Sequence, residues 1–159
     1  MGEQPETVIA RRSARAILID DQDRLVLFKR TKPGQVPYWS TPGGGVEASD
    51  ASLEAALHRE LAEELGASAD GAVPVFLHSF RDGGGLTVQH YFVARLVSLD
   101  LALRHGPEFS DPSRGAYDPV RVPLAGSCAE LASLDLRPES LKWFVLANRD
   151  ALIALVQPR

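Results

Sequence analysis

The sequence predicts an α+β fold or an α/β sandwich, in which helices pack against a β-sheet. Five runs of the chain are β-like, and two longer segments carry apolar residues at helical spacing. Strands interleaved with helices in this way indicate a layered domain of sheet and helix.

The chain opens with a predicted β-hairpin. Residues 14–20 (ARAILID) and 24–30 (RLVLFKR) are β-like and are joined by the turn Asp21-Gln22-Asp23. A loop rich in Pro and Gly follows over residues 31–42.

The first helix is predicted from a stripe of four leucines that recur at every fourth position: Leu53, Leu57, Leu61 and Leu65. Asp50 precedes this stripe, and we predict that it caps the helix N-terminus. Gly66 follows the stripe at the position where a C′ glycine ends many helices.

The second half of the chain is predicted to contain three strands, a long loop and a second helix. The strands span residues 73–82, 86–98 and 119–123, and the helix spans 138–156. The polar loop over 104–118 is long for a compact domain, and loops of that length are often functional.

Length and composition limit the class of protein. At 159 residues the chain predicts one domain over 1–159, and we leave open that residues 1–12 are flexible. A net charge of −4 argues against a nucleic-acid polymer as partner, although it allows a local basic pocket. No apolar run approaches the length of a membrane span, and the N-terminus lacks the apolar core of a signal peptide.

Cysteine and arginine usage indicate the setting of the protein. The single Cys128 excludes an internal disulfide and fits a reducing cytoplasm, which is the localisation we predict. Its simplest interpretation is a small buried side chain. Arginine outnumbers lysine fourteen to three, which hints at a bacterial source.

Three carboxylates in the first helix indicate a metal site. Glu60, Glu63 and Glu64 fall within roughly 100° of helical arc, beside the leucine stripe and behind the glycine-rich turn Gly43–Gly45. Carboxylates crowded at the rim of a buried surface repel one another, and a hard divalent cation such as Mg²⁺ would relieve that repulsion. The alternative interpretation is a surface helix with ion pairs, for example between Arg59 and Glu63.

The same stretch resembles the Nudix box, G-x5-E-x7-R-E-U-x-E-E-x-G-U with U an apolar residue. The resemblance is carried by Arg59, Glu60, Leu61, Glu63, Glu64, Gly66 and Ala67. One departure is that the first Glu of the box falls on Ala51. If the loop after Glu47 carries one extra residue, Asp50 takes that acidic position, and its role as metal ligand or as helix cap stays open.

The resemblance implies a fold with a mixed sheet between helices, an α/β/α sandwich, and a metal-dependent reaction. It implies that Glu60, Glu63 and Glu64 hold Mg²⁺ or Mn²⁺, with the Gly43 carbonyl as a further ligand. It also implies that Arg59 orients the glutamates by pairing with Glu63.

Residues outside the box supply further candidates for the site. By the same resemblance, Glu108 in the long loop completes the metal site or serves as general base, and an exposed loop glutamate is the alternative. Arg15 and Arg30 could hold a diphosphate through charge-assisted bonds, although a solvated basic edge is the simpler interpretation of either. Tyr38 and Trp39 could stack on a base, and Trp39 more often packs a loop in such a position. Tyr117 could line the pocket or anchor the loop.

We therefore expect a hydrolase that cleaves a diphosphate linkage in a nucleoside diphosphate joined to another moiety. The partner would be a phosphorylated small molecule: a nucleoside triphosphate, ADP-ribose, a nucleotide sugar or a dinucleoside polyphosphate. Two alternatives are a non-catalytic nucleotide-binding sensor and an enzyme that isomerises prenyl diphosphates. The intact Glu60, Glu63 and Glu64 disfavour the sensor, and Cys128 lies too far from the box for the isomerase chemistry. The sequence indicates no oligomeric state.

Overall fold

The computed structural model describes residues 8–106, 109 and 111–158. The strands are β1 Ile9–Ile19, β2 Arg24–Thr31, β3 Tyr38–Ser40, β4 Gly43–Gly45, β5 Ala67–Asp82, β6 Gly85–Leu99 and β7 Ala116–Pro123. The helices are α1 Leu53–Leu65, α2 Ala129–Ser133 and α3 Glu139–Val156. Short 3-10 turns lie at Leu101–Leu103 and Pro112–Arg114.

Within the described residues, these strands form one seven-stranded mixed sheet. The order is β3-β2-β1-β6-β5, with β4 paired to β1 and β7 paired to β2. β1 and β6 run parallel, whereas the other paired strands run antiparallel. The predicted hairpin is confirmed, since Leu18 pairs with Val26.

Helices cover both faces of the sheet because successive side chains on a strand point to opposite sides. Ile17 and Tyr91 join the core under α2 and α3, while Ala16 and Phe92 join the core under α1. The predicted α+β fold with helices on a mixed sheet is therefore confirmed.

Helix α1 has the predicted extent but not the predicted N-cap. Ser52 caps it, because its backbone is extended and its hydroxyl accepts a hydrogen bond of 3.0 Å from the Ala55 N–H. The prediction that Asp50 caps this helix is wrong, since both of its carboxylate oxygens bond to other groups. Gly66 ends the helix in the left-handed region at φ 58°, as predicted, and a Cβ there would collide with the Asp100 carbonyl oxygen.

The later elements differ from prediction mainly at their ends. β5 begins at Ala67, directly after α1, and β7 begins at Ala116, inside the predicted loop. α3 matches the predicted last helix to within one residue. No helix among the described residues is long and apolar enough to cross a membrane.

Candidate functional site

The glycine strand β4 brings the loop before α1 against β1. Gly43 pairs with Arg15, and its φ of 140° is one that side-chain-bearing residues rarely adopt. A Cβ on Gly43 would collide with the Ala14 carbonyl oxygen and with Arg15. The Gly43 backbone can therefore approach both β1 and the glutamates of α1.

Glu64 and Glu60 meet this backbone from the helix side. Glu64 is only 5% exposed, and its Oε1 accepts a hydrogen bond of 3.0 Å from the Gly43 N–H. The Glu60 side chain is 12% exposed. A Cβ on Gly44 would lie 2.6 Å from the Glu60 carboxyl carbon and 2.7 Å from each of its oxygens. The carboxylate of Glu60 thus occupies space that a glycine leaves open.

Burial makes this pair hard to ionise without a cation. Burial raises the pKa of Glu64 well above its usual range, and the charge of Glu60 raises it further. Burial also raises the pKa of Glu60, although hydrogen bonding to Arg59 opposes that shift. Burial and mutual repulsion therefore disfavour two ionised carboxylates side by side in the metal-free pair.

Arg59 fastens the loop to the helix. Its Nε and Nη2 donate to the two carboxylate oxygens of Asp50 at 2.9 and 2.8 Å, and Nη2 also donates to the Gly45 carbonyl at 2.9 Å. Its Nη1 donates to Glu60 at 3.0 Å and to Glu63 at 3.4 Å. The predicted contact with Glu63 is present, but Asp50 is the main partner of Arg59.

Asp50 neither caps helix α1 nor has a free carboxylate, because it accepts hydrogen bonds from Arg59. Hydrogen bonds from Arg59 and a hydrogen bond of 2.8 Å from the Glu47 N–H together lower the pKa of Asp50 to about 2. The same contact raises the pKa of Arg59 above its usual value. Asp50 thus pairs with Arg59 through both carboxylate oxygens.

Glu63 lies at the edge of this arrangement. Its side chain is 25% exposed and contacts Arg59. Among the described residues, no three acidic, imidazole or thiol groups converge closely enough to hold an ion as they stand. Helix α1 therefore brings two of the predicted metal ligands together and leaves the third beside Arg59. Glu108 lies outside the described residues.

A cavity of about 260 Å³, which we call the inner cavity, opens beside the glutamate pair. Its lining includes Glu60, Glu64, Gly43, Gly44, Phe28, Ser40, Thr41, Tyr117 and the arginines Arg11, Arg15, Arg30 and Arg114. Arg15 donates from Nη1 to the Thr41 carbonyl at 3.1 Å, while its buried Nε has no hydrogen-bond partner among the described residues.

A second cavity of about 530 Å³, the outer cavity, shares Arg15, Arg30 and Ser40 with the inner one. Its other lining residues are Tyr38, His78, Phe80, Gln89, Tyr91, Arg137, Pro138 and Glu139. The predicted substrate residues Tyr38 and Tyr117 thus line the outer and inner cavities, respectively. Trp39 lines neither, and its ring packs against the core under α3.

Several lining residues were not predicted from the sequence. Arg114 and Arg137 lie far along the chain from the box, and no local pattern distinguishes them from other surface arginines. The sequence indicates Gly44 only as part of the glycine turn. Its particular role depends on the approach of Glu60, which only the packing of α1 on β4 reveals.

Comparison with known proteins gives the family. A family model described as the NUDIX domain matches residues 10–124. No curated protein matches the sequence.

Three solved structures illustrate the likeness of fold. A NUDIX hydrolase from Nitrosomonas europaea is 18% identical, with 94% of this chain and 97% of that chain covered and a TM-score of 0.64. The NUDIX domain of NrtR from Shewanella oneidensis, solved with ADP ribose, is 20% identical over 88% and 87% of the two chains, with a TM-score of 0.62. An ADP compounds hydrolase is 23% identical over 91% and 74%, with a TM-score of 0.68.

The family model covers most of the chain and includes the whole segment from Gly43 to Gly66, whose glutamates meet the glycine backbone beside the inner cavity. The chain therefore belongs to the Nudix family.

Proposed function

We propose that the chain is a metal-dependent hydrolase that cleaves a diphosphate linkage in a nucleoside diphosphate joined to another moiety. The observation that carries this proposal is the buried pair Glu60 and Glu64, held against the Gly43–Gly44 backbone at the wall of an arginine-lined cavity. Acidic oxygens for a cation and guanidinium groups for phosphates adjoin each other there.

The residues of the pair fit a divalent metal. Carboxylate oxygens are the donors that Mg²⁺ and Mn²⁺ take. The raised pKa values of Glu60 and Glu64 reflect burial and mutual repulsion, which a cation would relieve. We infer that Glu60 and Glu64 hold the ion, with Glu63 and the Gly43 carbonyl as further ligands. Such an ion, when bound, supplies charge neutralisation on the phosphates and a lowered pKa for water.

The arginines of the inner cavity would bind the diphosphate. Arg15 lines the inner cavity and is oriented by the Thr41 carbonyl, and its buried Nε has no hydrogen-bond partner among the described residues. Arg30 has its guanidinium carbon 3.5 Å from the centroid of the Tyr117 ring, which leaves the edge of the guanidinium for the substrate. These donors would offset the charge that develops on the phosphate oxygens.

In the reaction, the oxygen of a water forms a bond to one phosphorus as the bridging P–O bond breaks. The bridging oxygen keeps the electron pair and leaves with the second phosphate, still esterified to its group. The water proton passes to a carboxylate, for which Glu60, Glu63, Glu64 and Glu108 are the candidates. Arg59 acts through Glu60, whose carboxylate it holds at 3.0 Å.

The test is a phosphate-release assay, coupled through a phosphatase, on nucleoside triphosphates, ADP-ribose, nucleotide sugars and dinucleoside polyphosphates. We expect turnover of at least one class with Mg²⁺ or Mn²⁺ and none in EDTA. Glu54→Gln is the matched control for substitution of Glu60 or Glu64. Glu54 is an exposed glutamate of the same helix, and its one ion pair among the described residues is with His58. Turnover that persists in chelator with metal removed would overturn the proposal, as would no hydrolysis of any class.

A further inference from the structure

Arginines concentrate around the two cavities of an otherwise acidic chain. The chain has a formal net charge of −4, yet four arginines line the inner cavity and a fifth, Arg137, lines the outer cavity. Arg15 and Arg30 line both cavities. A substrate in either cavity would therefore lie beside several guanidinium groups.

Arg30 is fixed between the cavities with part of its edge still available. Its guanidinium carbon lies 3.5 Å from the centroid of the Tyr117 ring and 5.9 Å from that of Tyr38. Its Nε donates to the Ala116 carbonyl at 3.3 Å and its Nη2 to the Arg114 carbonyl at 2.8 Å. A guanidinium has five N–H groups, so three have no partner among the described residues.

Arg137 presents a second cation at the outer cavity. Its guanidinium carbon lies 4.3 Å from the centroid of the Tyr38 ring, and its backbone N–H donates to the Trp39 carbonyl at 3.0 Å. Its partner is Asp135 at 3.0 Å, and both side chains of that pair are more than half exposed. Exposed pairs of this kind contribute little, so Arg137 can take an anion at small cost.

The charges of the inner cavity exceed what a simple diphosphate diester needs. Such a linkage carries about one negative charge per phosphate. Four arginines stand there against Glu60 and Glu64, which a bound divalent cation would neutralise, and Arg114 is partly offset by Asp111 at 3.5 Å. In the outer cavity, Glu139 and Asp135 offset Arg137, and the Glu139 carboxylate also accepts a hydrogen bond from Trp143. The positive excess therefore lies with Arg15 and Arg30, which line both cavities.

We propose that the substrate is a polyphosphate with at least three phosphoryl groups, whose phosphate beyond the cleaved linkage binds Arg30 and Arg137 in the outer cavity. This inference rests on the proposed function and narrows it. It favours nucleoside triphosphates and dinucleoside polyphosphates over ADP-ribose and nucleotide sugars, which carry an uncharged sugar there.

The binding test measures the affinity of the protein for inorganic tripolyphosphate and for inorganic diphosphate by titration calorimetry, in EDTA and at fixed ionic strength. Arg137→Gln should weaken tripolyphosphate binding about tenfold, the loss of one charge-assisted hydrogen bond, and change diphosphate binding less than about twofold. Arg81→Gln is the control of equal charge, because Arg81 is exposed and lines neither cavity. Equal losses for the two anions, or equal effects of the two variants, would overturn the inference.

The kinetic test uses a nucleoside triphosphate and ADP-ribose. Arg137→Gln should raise the KM of the triphosphate with kcat nearly unchanged and leave the KM of ADP-ribose alone. Higher kcat/KM for ADP-ribose than for every triphosphate and dinucleoside polyphosphate would refute the inference while the hydrolase stands. No hydrolysis, with tripolyphosphate binding that still depends on Arg137, would refute the hydrolase and leave the anion site.

Discussion

The substitution Gly44→Ala tests whether the glycine turn positions the carboxylate of Glu60. A methyl group at Gly44 would lie 2.6 Å from the Glu60 carboxyl carbon, whereas carbon atoms in ordinary contact are about 3.5 to 4.0 Å apart. The carboxyl group must therefore move by about 1 Å. Arg59 donates a hydrogen bond of 3.0 Å to this carboxyl group. The substitution must therefore either move the Glu60 carboxyl group out of that hydrogen bond or shift the glycine loop.

A displacement of this size should affect catalysis more than folding. Misplacing a catalytic group by about 1 Å can cost about 10²-fold in rate, while overpacking costs about 1 to 3 kcal/mol in stability. We expect Gly44→Ala to lower kcat about 10²-fold at saturating Mg²⁺ while the protein stays folded. The measurements are initial rates on the best substrate and thermal melts of the same preparations.

Substitutions at two other glycines serve as controls. A methyl at Gly84, in the turn between β5 and β6, would meet nothing within 4 Å, so Gly84→Ala should keep the wild-type rate. A methyl at Gly45 would lie 3.2 Å from the end of the flexible Arg11 side chain, which can move, so its effect should be small. If Gly44→Ala keeps a rate within about threefold of wild type, the idea that this glycine makes room for Glu60 is wrong.

Three further substitutions separate the effect of charge from the effects of helix capping and burial. Ser52→Ala should lower the free energy of unfolding by about 1 kcal/mol with an unchanged rate, because it removes only the helix cap. Asp50→Asn, by contrast, should lower kcat because it weakens the hold on Arg59. Its loss of stability should shrink as pH falls toward 2, where the carboxylate of the wild type is itself protonated. Equal rates for Ser52→Ala and Asp50→Asn would contradict this prediction. Glu64→Gln should lower the rate by about 10²- to 10³-fold yet raise the melting temperature in EDTA. Because folding raises the pKa of Glu64, the wild type loses stability as pH rises above the usual range of a glutamate, so the gain should grow from pH 5 to pH 8. If the gain in melting temperature does not change with pH, the inference that the buried charge of Glu64 destabilises the wild type is wrong.

The sequence predicts α1 well because its signals are local. The leucine stripe and Gly66 act within one helix, and the structure has both as expected. The choice of cap was wrong because it depends on a partner elsewhere. Ser52 and Asp50 are both good caps by type, but Arg59, nine residues from Asp50, takes both carboxylate oxygens of Asp50. Tertiary pairing therefore decides between two locally equivalent residues.

The site was predictable in kind but not in arrangement. Helical geometry puts Glu60 and Glu64 about 40° apart and puts Glu63 about 60° from Glu60 on the other side. The sequence alone does not say which part of that arc faces the glycine strand. The packing of α1 on β1 and β4 turns Glu60 and Glu64 inward and leaves Glu63 near Arg59. The outer cavity has no sequence signal, because Tyr38 and Arg137 meet only through strand pairing and the approach to α3.

The hydrogen bonds of Arg59 connect Asp50 to the glutamates of helix α1. Each of its five N–H groups has a partner: two go to Asp50, one to the Gly45 carbonyl, and the remainder to Glu60 and Glu63. A guanidinium so fully occupied has no donor left for a phosphate, so its contribution must pass through the groups it holds. Asp50 lies within 2.8 Å of Arg59, and the Glu47 N–H donates to the same Asp50 oxygen as Arg59 Nη2. Asp50 and Arg59 therefore act as one unit that positions Glu60, and loss of either member should change the rate by a similar factor.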